Sequence, residues 1–337
     1  MANSILIVGP AWVGDMVMAQ TLFKLLKAEQ PDCLIDVLAP AWSKPLLERM
    51  AEVRMAIEMP LGHGHLGLGL RYQIGKRLRA ENYTQAIVLA NSFKSALIPY
   101  WAKIPQRTGW RGEMRWGLLN DIRYLNKQTY PLMIQRFAAL GLLRGASLAT
   151  SLPWPELTVL PNNIQATLTR LNLQQPTQAV LALCPGAEYG SAKRWPETYF
   201  AEVANEKLAQ GWQVWLLGSQ KDQVITQAIQ QATDGACVDL AGKTNLGEAI
   251  DLLSLARLVV SNDSGLMHIS AALQRPLVVL YGSTDPRFTP PLSKQVKILS
   301  LQLPCSPCFQ RECPLEHLKC LRDLVPAQVL NAMSELV

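Results

Sequence analysis

Leu258-Val259-Val260-Ser261-Asn262-Asp263-Ser264-Gly265-Leu266-Met267-His268, followed by Ile269-Ser270-Ala271-Ala272-Leu273, decides the fold class. The run 258–260 is short and apolar, as a buried strand is, and 269–273 continues as a helix. The polar turn between them holds one glycine. Asp263 or Ser264 is placed to cap the helix, and Gly265 lets a ligand approach the backbone. The amides of the first helical turn then face any anion bound there. His268 stands one turn in, on about the same side as Ser264. A simple cap with a core histidine explains the same residues, so the reading depends on the rest of the chain.

Outward from this segment the pattern repeats. Residues 180–184, 213–217, 238–240 and 277–281 read as strands, and 197–210, 221–232 and 246–255 as helices. In the first half, 4–9, 33–38 and 85–89 read as strands, and 16–29, 45–50, 72–80 and 131–141 as helices. Strand and helix in alternation imply parallel sheets with right-handed crossovers. Regular structure breaks at Ser151-Leu152-Pro153-Trp154-Pro155. The expected fold is therefore α/β, with two Rossmann-like doubly wound domains, 1–155 and 156–337, facing across a cleft. Ligands of such sheets sit outside the carboxyl ends of the strands.

Composition narrows the class. The 337 residues are 49% hydrophobic and 17% charged, as in a globular protein. No apolar run reaches the roughly 18 residues of a membrane span. The start, Met1-Ala2-Asn3-Ser4, lacks a basic leader region and runs straight into a strand pattern, so a secretory signal is not expected. Seven cysteines without an export signal point to reduced thiols and a cytoplasmic setting. Residues 1–160 carry 18 Lys and Arg against 11 Asp and Glu, a net +7, whereas 161–337 carry 14 against 15, a net −1. The basic half suits an anionic partner or a solvated face, but no nucleic-acid motif accompanies it.

Several strand ends carry groups fit for chemistry. Gly9-Pro10-Ala11-Trp12-Val13-Gly14-Asp15 is a glycine-bearing turn without the dinucleotide fingerprint. Its Asp15 is placed as a helix cap or as a general base. In Cys184-Pro185-Gly186-Ala187-Glu188-Tyr189-Gly190-Ser191-Ala192-Lys193-Arg194-Trp195-Pro196, backbone amides can cradle a phosphate and Lys193 can neutralise it. Gly218-Ser219-Gln220-Lys221-Asp222 has the same design, with Asp222 in reach of a ribose or of solvent. Ala241-Gly242-Lys243-Thr244 can wall a base pocket, and 281–286 ends a strand in a turn. Together these loops suggest a nucleoside diphosphate. In the first half, Asn91-Ser92-Phe93-Lys94-Ser95 and the stretch 107–116, with Arg107, Trp110, Arg111, Arg115 and Trp116, form a candidate platform for an anionic sugar. Cys305, Cys308, Cys313 and Cys320 are spaced C-x2-C-x4-C-x6-C with His317 nearby. Zinc, an iron–sulfur cluster and plain reduced thiols all remain open for them.

Taken together, residues 9–15, 37–42, 59–64, 91–96, 107–115 with 117–121, 184–196 and 262–268 resemble the lipopolysaccharide heptosyltransferases. The cysteine segment lies outside the resemblance. The resemblance implies a GT-B fold and an inverting transfer that requires no metal or other cofactor. It implies ADP-heptose as donor. The implied acceptor is the lipid-borne inner core, whose first heptose is carried on 3-deoxy-octulosonate and lipid A. By motif position it implies Asp15 as the base and Lys193 as the phosphate ligand. It likewise implies Asp263, Ser264, Gly265 and His268 around heptose and diphosphate, Asp222 at the ribose and Thr244 at the adenine. The expected location is peripheral, at the inner face of the cytoplasmic membrane. A nucleotide-sugar epimerase of similar build would use the same donor edge without releasing ADP. A non-catalytic nucleotide-binding protein would bind the donor without turnover.

Overall fold

Short, wholly buried apolar runs make the strands. The computed structural model describes residues 3–62 and 64–337. The reading of Met1 and Ala2 at the chain start, and the His63 position of segment 59–64, lie outside the described residues. The chain divides into two units, Met1–Pro155 and Glu156–Val337.

The first unit contains strands β1 (Ser4–Val8), β2 (Leu34–Pro40), β3 (Met55–Met59), β4 (Gln85–Val88), β5 (Gln106–Trp110) and β6 (Asp121–Arg123). Its helices are α1 (Val13–Glu29), α2 (Lys44–Leu47), α3 (Leu68–Leu78), α4 (Leu97–Trp101) and α5 (Met133–Gly141). The sheet is parallel throughout, in the order β3-β2-β1-β4-β5-β6. Central strands covered on both faces must be apolar along their whole length, and all five residues of β1 are buried. Helix α1 is more than amphipathic, because Met16 through Phe23 are all buried. It packs on α5 at Gly141, where a Cβ would stand 2.5 Å from Leu22 Cδ1. Asp36, fully buried in β2, accepts from Arg54 Nε at 2.8 Å and from the Tyr83 hydroxyl at 2.6 Å. A buried carboxylate paired in this way escapes the cost of an isolated charge.

The second unit contains α6 (Pro161–Arg170), β7 (Val180–Cys184), α7 (Glu197–Ala209), β8 (Gln213–Leu216), α8 (Gln223–Ala232), β9 (Val238–Asp239), α9 (Leu246–Leu255), β10 (Leu258–Asn262), α10 (Gly265–Ala272), β11 (Leu277–Leu280), β12 (Val296–Leu299), α11 (Lys319–Arg322) and α12 (Pro326–Ser334). Its sheet is also parallel, in the order β12-β11-β10-β7-β8-β9. Counted within each unit, both sheets run 3-2-1-4-5-6, the doubly wound order. The order reverses between β1 and β4 in the first sheet and between β7 and β10 in the second. Ligands of this architecture bind outside the carboxyl ends of those strands. No described helix is long and apolar enough to cross a membrane.

Two sequence expectations are corrected here. The candidate platform 107–116 is not all surface, because β5 runs through Trp110 and its last three residues are buried. Trp110 is buried and donates its indole N–H to Arg136 O at 3.1 Å. Asp15 is not the cap of α1. Trp12 holds that position, and Asp15 is an acid of the first turn.

Candidate active site

The β7/β10 switch point gathers the second unit's polar loops. Asn262, the last residue of β10, is fully buried and ties two of them together. Its Nδ2 donates to Pro185 O at 2.7 Å, and its Oδ1 accepts from the Trp195 backbone N–H at 3.2 Å. Both ends of the loop 185–195 are therefore pinned to β10. Trp195, itself buried, anchors the same loop to the core through Nε1, which donates to Leu324 O at 2.7 Å.

Within this frame Lys193 Nζ lies 2.6 Å from Asp263 Oδ2. Thr284 Oγ1 donates to the same carboxylate oxygen at 2.5 Å. The Asp263 side chain is thus held by a cation and a hydroxyl and does not cap α10. Ser264 is the N-cap residue, but its side chain makes no cap bond, and its Oγ lies 3.3 Å from Ser261 Oγ. The amides opening α10 therefore receive no cap bond from Ser264, which suits an anion. The Lys193 ammonium also lies 5.0 Å from the centre of the Tyr189 ring.

His268 is buried beside this pair. Burial pushes its pKa down from 6.5 to about 4, an effect that Asp263 opposes and Lys193 reinforces. The imidazole is therefore neutral at pH 7 and brings no charge to a phosphate. Between pH 4 and 6.5 the unfolded chain binds a proton at this position that the folded chain refuses. This contribution to stability is complete above pH 6.5 and is lost as the pH falls toward 4. Its slope is about 1.4 kcal/mol per pH unit. Urea unfolding at pH 7.5 and pH 5 is expected to show a larger loss on acidification for the wild type than for His268→Gln. Equal losses would show that His268 titrates normally in the fold.

The neighbouring loops complete the edge. Asp222, read as in reach of a ribose or of solvent, also braces its own loop. It is buried, and its Oδ2 accepts from Ser219 N at 2.9 Å and Ser219 Oγ at 2.7 Å. Gly186 is required beside it, since a Cβ there would stand 2.4 Å from the Asp222 carboxyl carbon. Glu188 is exposed and paired with Lys221, which is also exposed. Thr244 is half-buried at the end of a turn whose Gly242 N donates to Gly218 O at 3.0 Å.

In the first unit, Asp15 is half-buried in the first turn of α1, just beyond the carboxyl end of β1. Lys94 follows β4, with Nζ 3.4 Å from His65 O. Arg115 is corrected from a surface ligand to a buried brace. Its guanidinium donates to Ala90 O at 2.7 Å and to Trp110 O, tying the β5–β6 loop to the end of β4. The approach is close enough that a Cβ on Gly112 would stand 2.2 Å from Asn91 O. Arg107 is half-buried and spends Nε on Leu118 O at 2.6 Å and Nη1 on Ile104 O at 2.5 Å. Arg111 is exposed, its guanidinium 5.8 Å from the Trp116 ring centre and 5.4 Å from that of Tyr124.

All seven cysteines are unlinked. Burial raises the pKa of the Cys320 thiol, and Cys308, Cys313 and Cys305 add to the effect. No group of three or more His, Cys, Asp or Glu side chains among the described residues is arranged to hold a metal ion.

Sequence reasoning missed Asn262 as the tie between the loops of this sheet edge and Thr284 as a partner of Asp263. Both lie in segments read there as polar turns, and no local pattern marks contacts between distant loops.

Two doubly wound parallel-sheet units place the chain among α/β proteins of the GT-B type, and known proteins resolve the class further. Residues 71–319 match glycosyltransferase family 9 (heptosyltransferase). The lipopolysaccharide heptosyltransferase 2 of Escherichia coli strain K12 is 46% identical, over 99% of this chain and 98% of that protein. The lipooligosaccharide heptosyltransferase 2 of Haemophilus influenzae is 51% identical over 88% of each. The solved structure of E. coli ADP-heptose LPS heptosyltransferase II superposes with a TM-score of 0.89 at 43% identity, covering 99% of this chain and 98% of that one. The chain belongs to glycosyltransferase family 9, the heptosyltransferases, and is a glycosyltransferase.

Proposed function

We propose that this enzyme moves a heptosyl group from ADP-heptose to the first heptose of the lipopolysaccharide inner core, with inversion. The observation that carries the donor half is the Lys193–Asp263–Thr284 cluster at the β7/β10 switch point. In this reading Lys193 and the opening amides of α10 hold the diphosphate. Gly186, Glu188 and Tyr189 shape the phosphate loop, Ser264, Gly265 and neutral His268 border the heptose, and Thr244 borders the adenine. The first unit takes the acceptor through Lys94 and Arg111, and Arg115 and Trp110 position the loop that carries Arg111.

The acceptor hydroxyl oxygen attacks the anomeric carbon of the donor. The bond from that carbon to the phosphate oxygen breaks, and ADP departs with the electron pair. Asp15 receives the hydroxyl proton. Lys193 and the helix amides oppose the charge growing on the leaving phosphate. A nucleotide-sugar epimerase is the weaker reading, because the full-length relatives are named as heptosyltransferases.

The enzyme works in this proposal as a peripheral protein at the inner face of the cytoplasmic membrane. The net +7 of residues 1–160 supports this, as do the exposed Leu68, Leu70 and Tyr72 on α3, followed by exposed Lys76 and Arg77. The test is incubation of the purified protein with ADP-heptose and heptosyl-3-deoxy-octulosonate-lipid A in vesicles of anionic or neutral lipid. A product heavier by one heptosyl residue is expected, formed faster on the anionic vesicles. Donor isomerised without ADP release, or bound without turnover, would overturn the reaction. Equal rates on both lipids would overturn the electrostatic docking.

Arg111→Ala is expected to raise the KM for this acceptor and leave the donor KM unchanged. Added salt should narrow the gap from wild type, since exposed charges are screened within about 10 Å at 0.1 M ionic strength. A rise in donor KM alone would assign the loop to the wrong substrate.

A further inference from the structure

We infer that Arg311, carried on the C-terminal segment, is a second cation of the donor diphosphate site. The inference rests on the reading of the Lys193 loop as that site. Three contacts lace the segment onto this loop. The Tyr189 hydroxyl donates to Phe309 O at 2.7 Å, and Ala192 N donates to Arg311 O at 3.0 Å. Gly190 makes the third approach possible, since a Cβ there would stand 2.2 Å from Arg311 O. The backbone of Arg311 is thereby fixed, and its guanidinium lies 5.4 Å from the centre of the Tyr189 ring. Lys193 rests on that same ring at 5.0 Å.

Charge balance shows why a second cation belongs here. Lys193 is already neutralised by Asp263, and Lys221 by Glu188. Arg194 turns Nη2 toward Ala187 O at 3.4 Å, and its Nε is buried without a partner among the described residues. His268 is neutral. A diphosphate would therefore meet two acid–base pairs that cancel and, in Arg194, one cation whose guanidinium is turned toward a main-chain carbonyl. Arg311 is exposed and forms no ion pair with a described carboxylate, so its charge is available. A guanidinium stacked on a tyrosine keeps its edge N–H groups free for phosphate oxygens, with fork geometry that an ammonium lacks. The segment between Cys308 and Cys313 acquires a purpose on this view: it delivers a cation to the phosphate loop.

Calorimetry on the intact protein tests this, with ADP and inorganic pyrophosphate as probes. Arg311→Ala is expected to weaken both by about tenfold, the lower range for a charge-assisted contact, with an unchanged melting temperature. The backbone carbonyl that anchors the loop survives in this variant. Arg311→Lys is expected to recover only part of the loss. Lys297→Ala, which removes a cation paired with Glu335 at the end of α12 and away from the phosphate loop, should bind both probes as the wild type does. If Arg311→Ala binds both probes normally while Lys193→Ala does not, the inference fails and the donor-site reading stands. If both variants bind normally, the donor-site reading itself fails. A loss in Arg311→Ala accompanied by a lowered melting temperature and no recovery in Arg311→Lys would mark a folding role and overturn the inference.

Discussion

Asp15→Asn is expected to abolish transfer while ADP binds with unchanged affinity. Asn is nearly isosteric with Asp and keeps a hydrogen-bonding oxygen, so the first turn of α1 should stay in place. What it loses is the capacity to take the proton of the attacking hydroxyl. Removing a general base costs on the order of 100- to 10,000-fold in rate. The effect should fall on kcat with the donor KM unchanged, because Asp15 lies on α1 of the first unit and the proposed donor loops lie in the second. Single-turnover rates together with ADP calorimetry separate the two quantities. Turnover within about threefold of wild type would reduce Asp15 to a helix-terminal acid interacting with the dipole.

Lys193→Ala is expected to weaken ADP binding by about 10- to 100-fold and to slow transfer as well, since the lost contact strengthens as ADP leaves. A second effect accompanies the first. Asp263 is only 5% exposed, and without Lys193 it keeps Thr284 as its described side-chain partner. A buried carboxylate that loses its cation destabilises the fold. The double variant Lys193→Ala with Asp263→Asn should therefore regain melting temperature but not ADP affinity. Wild-type ADP affinity in the single variant would remove Lys193 from the donor site.

The fold was legible where burial dictates composition. Strands β7 and β11 and the first three residues of β10 are buried and read as unbroken apolar runs. Helix α6 escaped because only Thr167 and Leu168 of its ten residues are buried, leaving no apolar stripe to see. Strand β5 escaped because its sequence, Gln-Arg-Thr-Gly-Trp, has no apolar run although its last three residues are buried. The candidate site was legible as a set of loops but not as a set of pairings. Lys193 and Asp263 meet across 70 residues of chain, and Arg107, Arg111 and Arg115 look alike in sequence. What separates those arginines is whether a main-chain carbonyl stands within reach, as it does for Arg107 and Arg115. That depends on how β4, β5 and the loop after them fold together.

The anchoring of Trp195 to Leu324 has a consequence for biosynthesis. Leu321, Leu324, Val329 and Met333 belong to the same apolar cluster as Leu181, Leu183, Val260 and Leu280. That cluster cannot close until residue 333 has left the ribosome. The first unit ends at Pro155 and draws on no later residue for its own sheet, so it can complete its core while the rest is still being translated. During that interval the second sheet waits with its central strands exposed. A stalled or prematurely terminated chain would therefore display a finished first unit joined to an open, aggregation-prone second one. Quality control should act on the last stretch of the message far more severely than its few residues suggest.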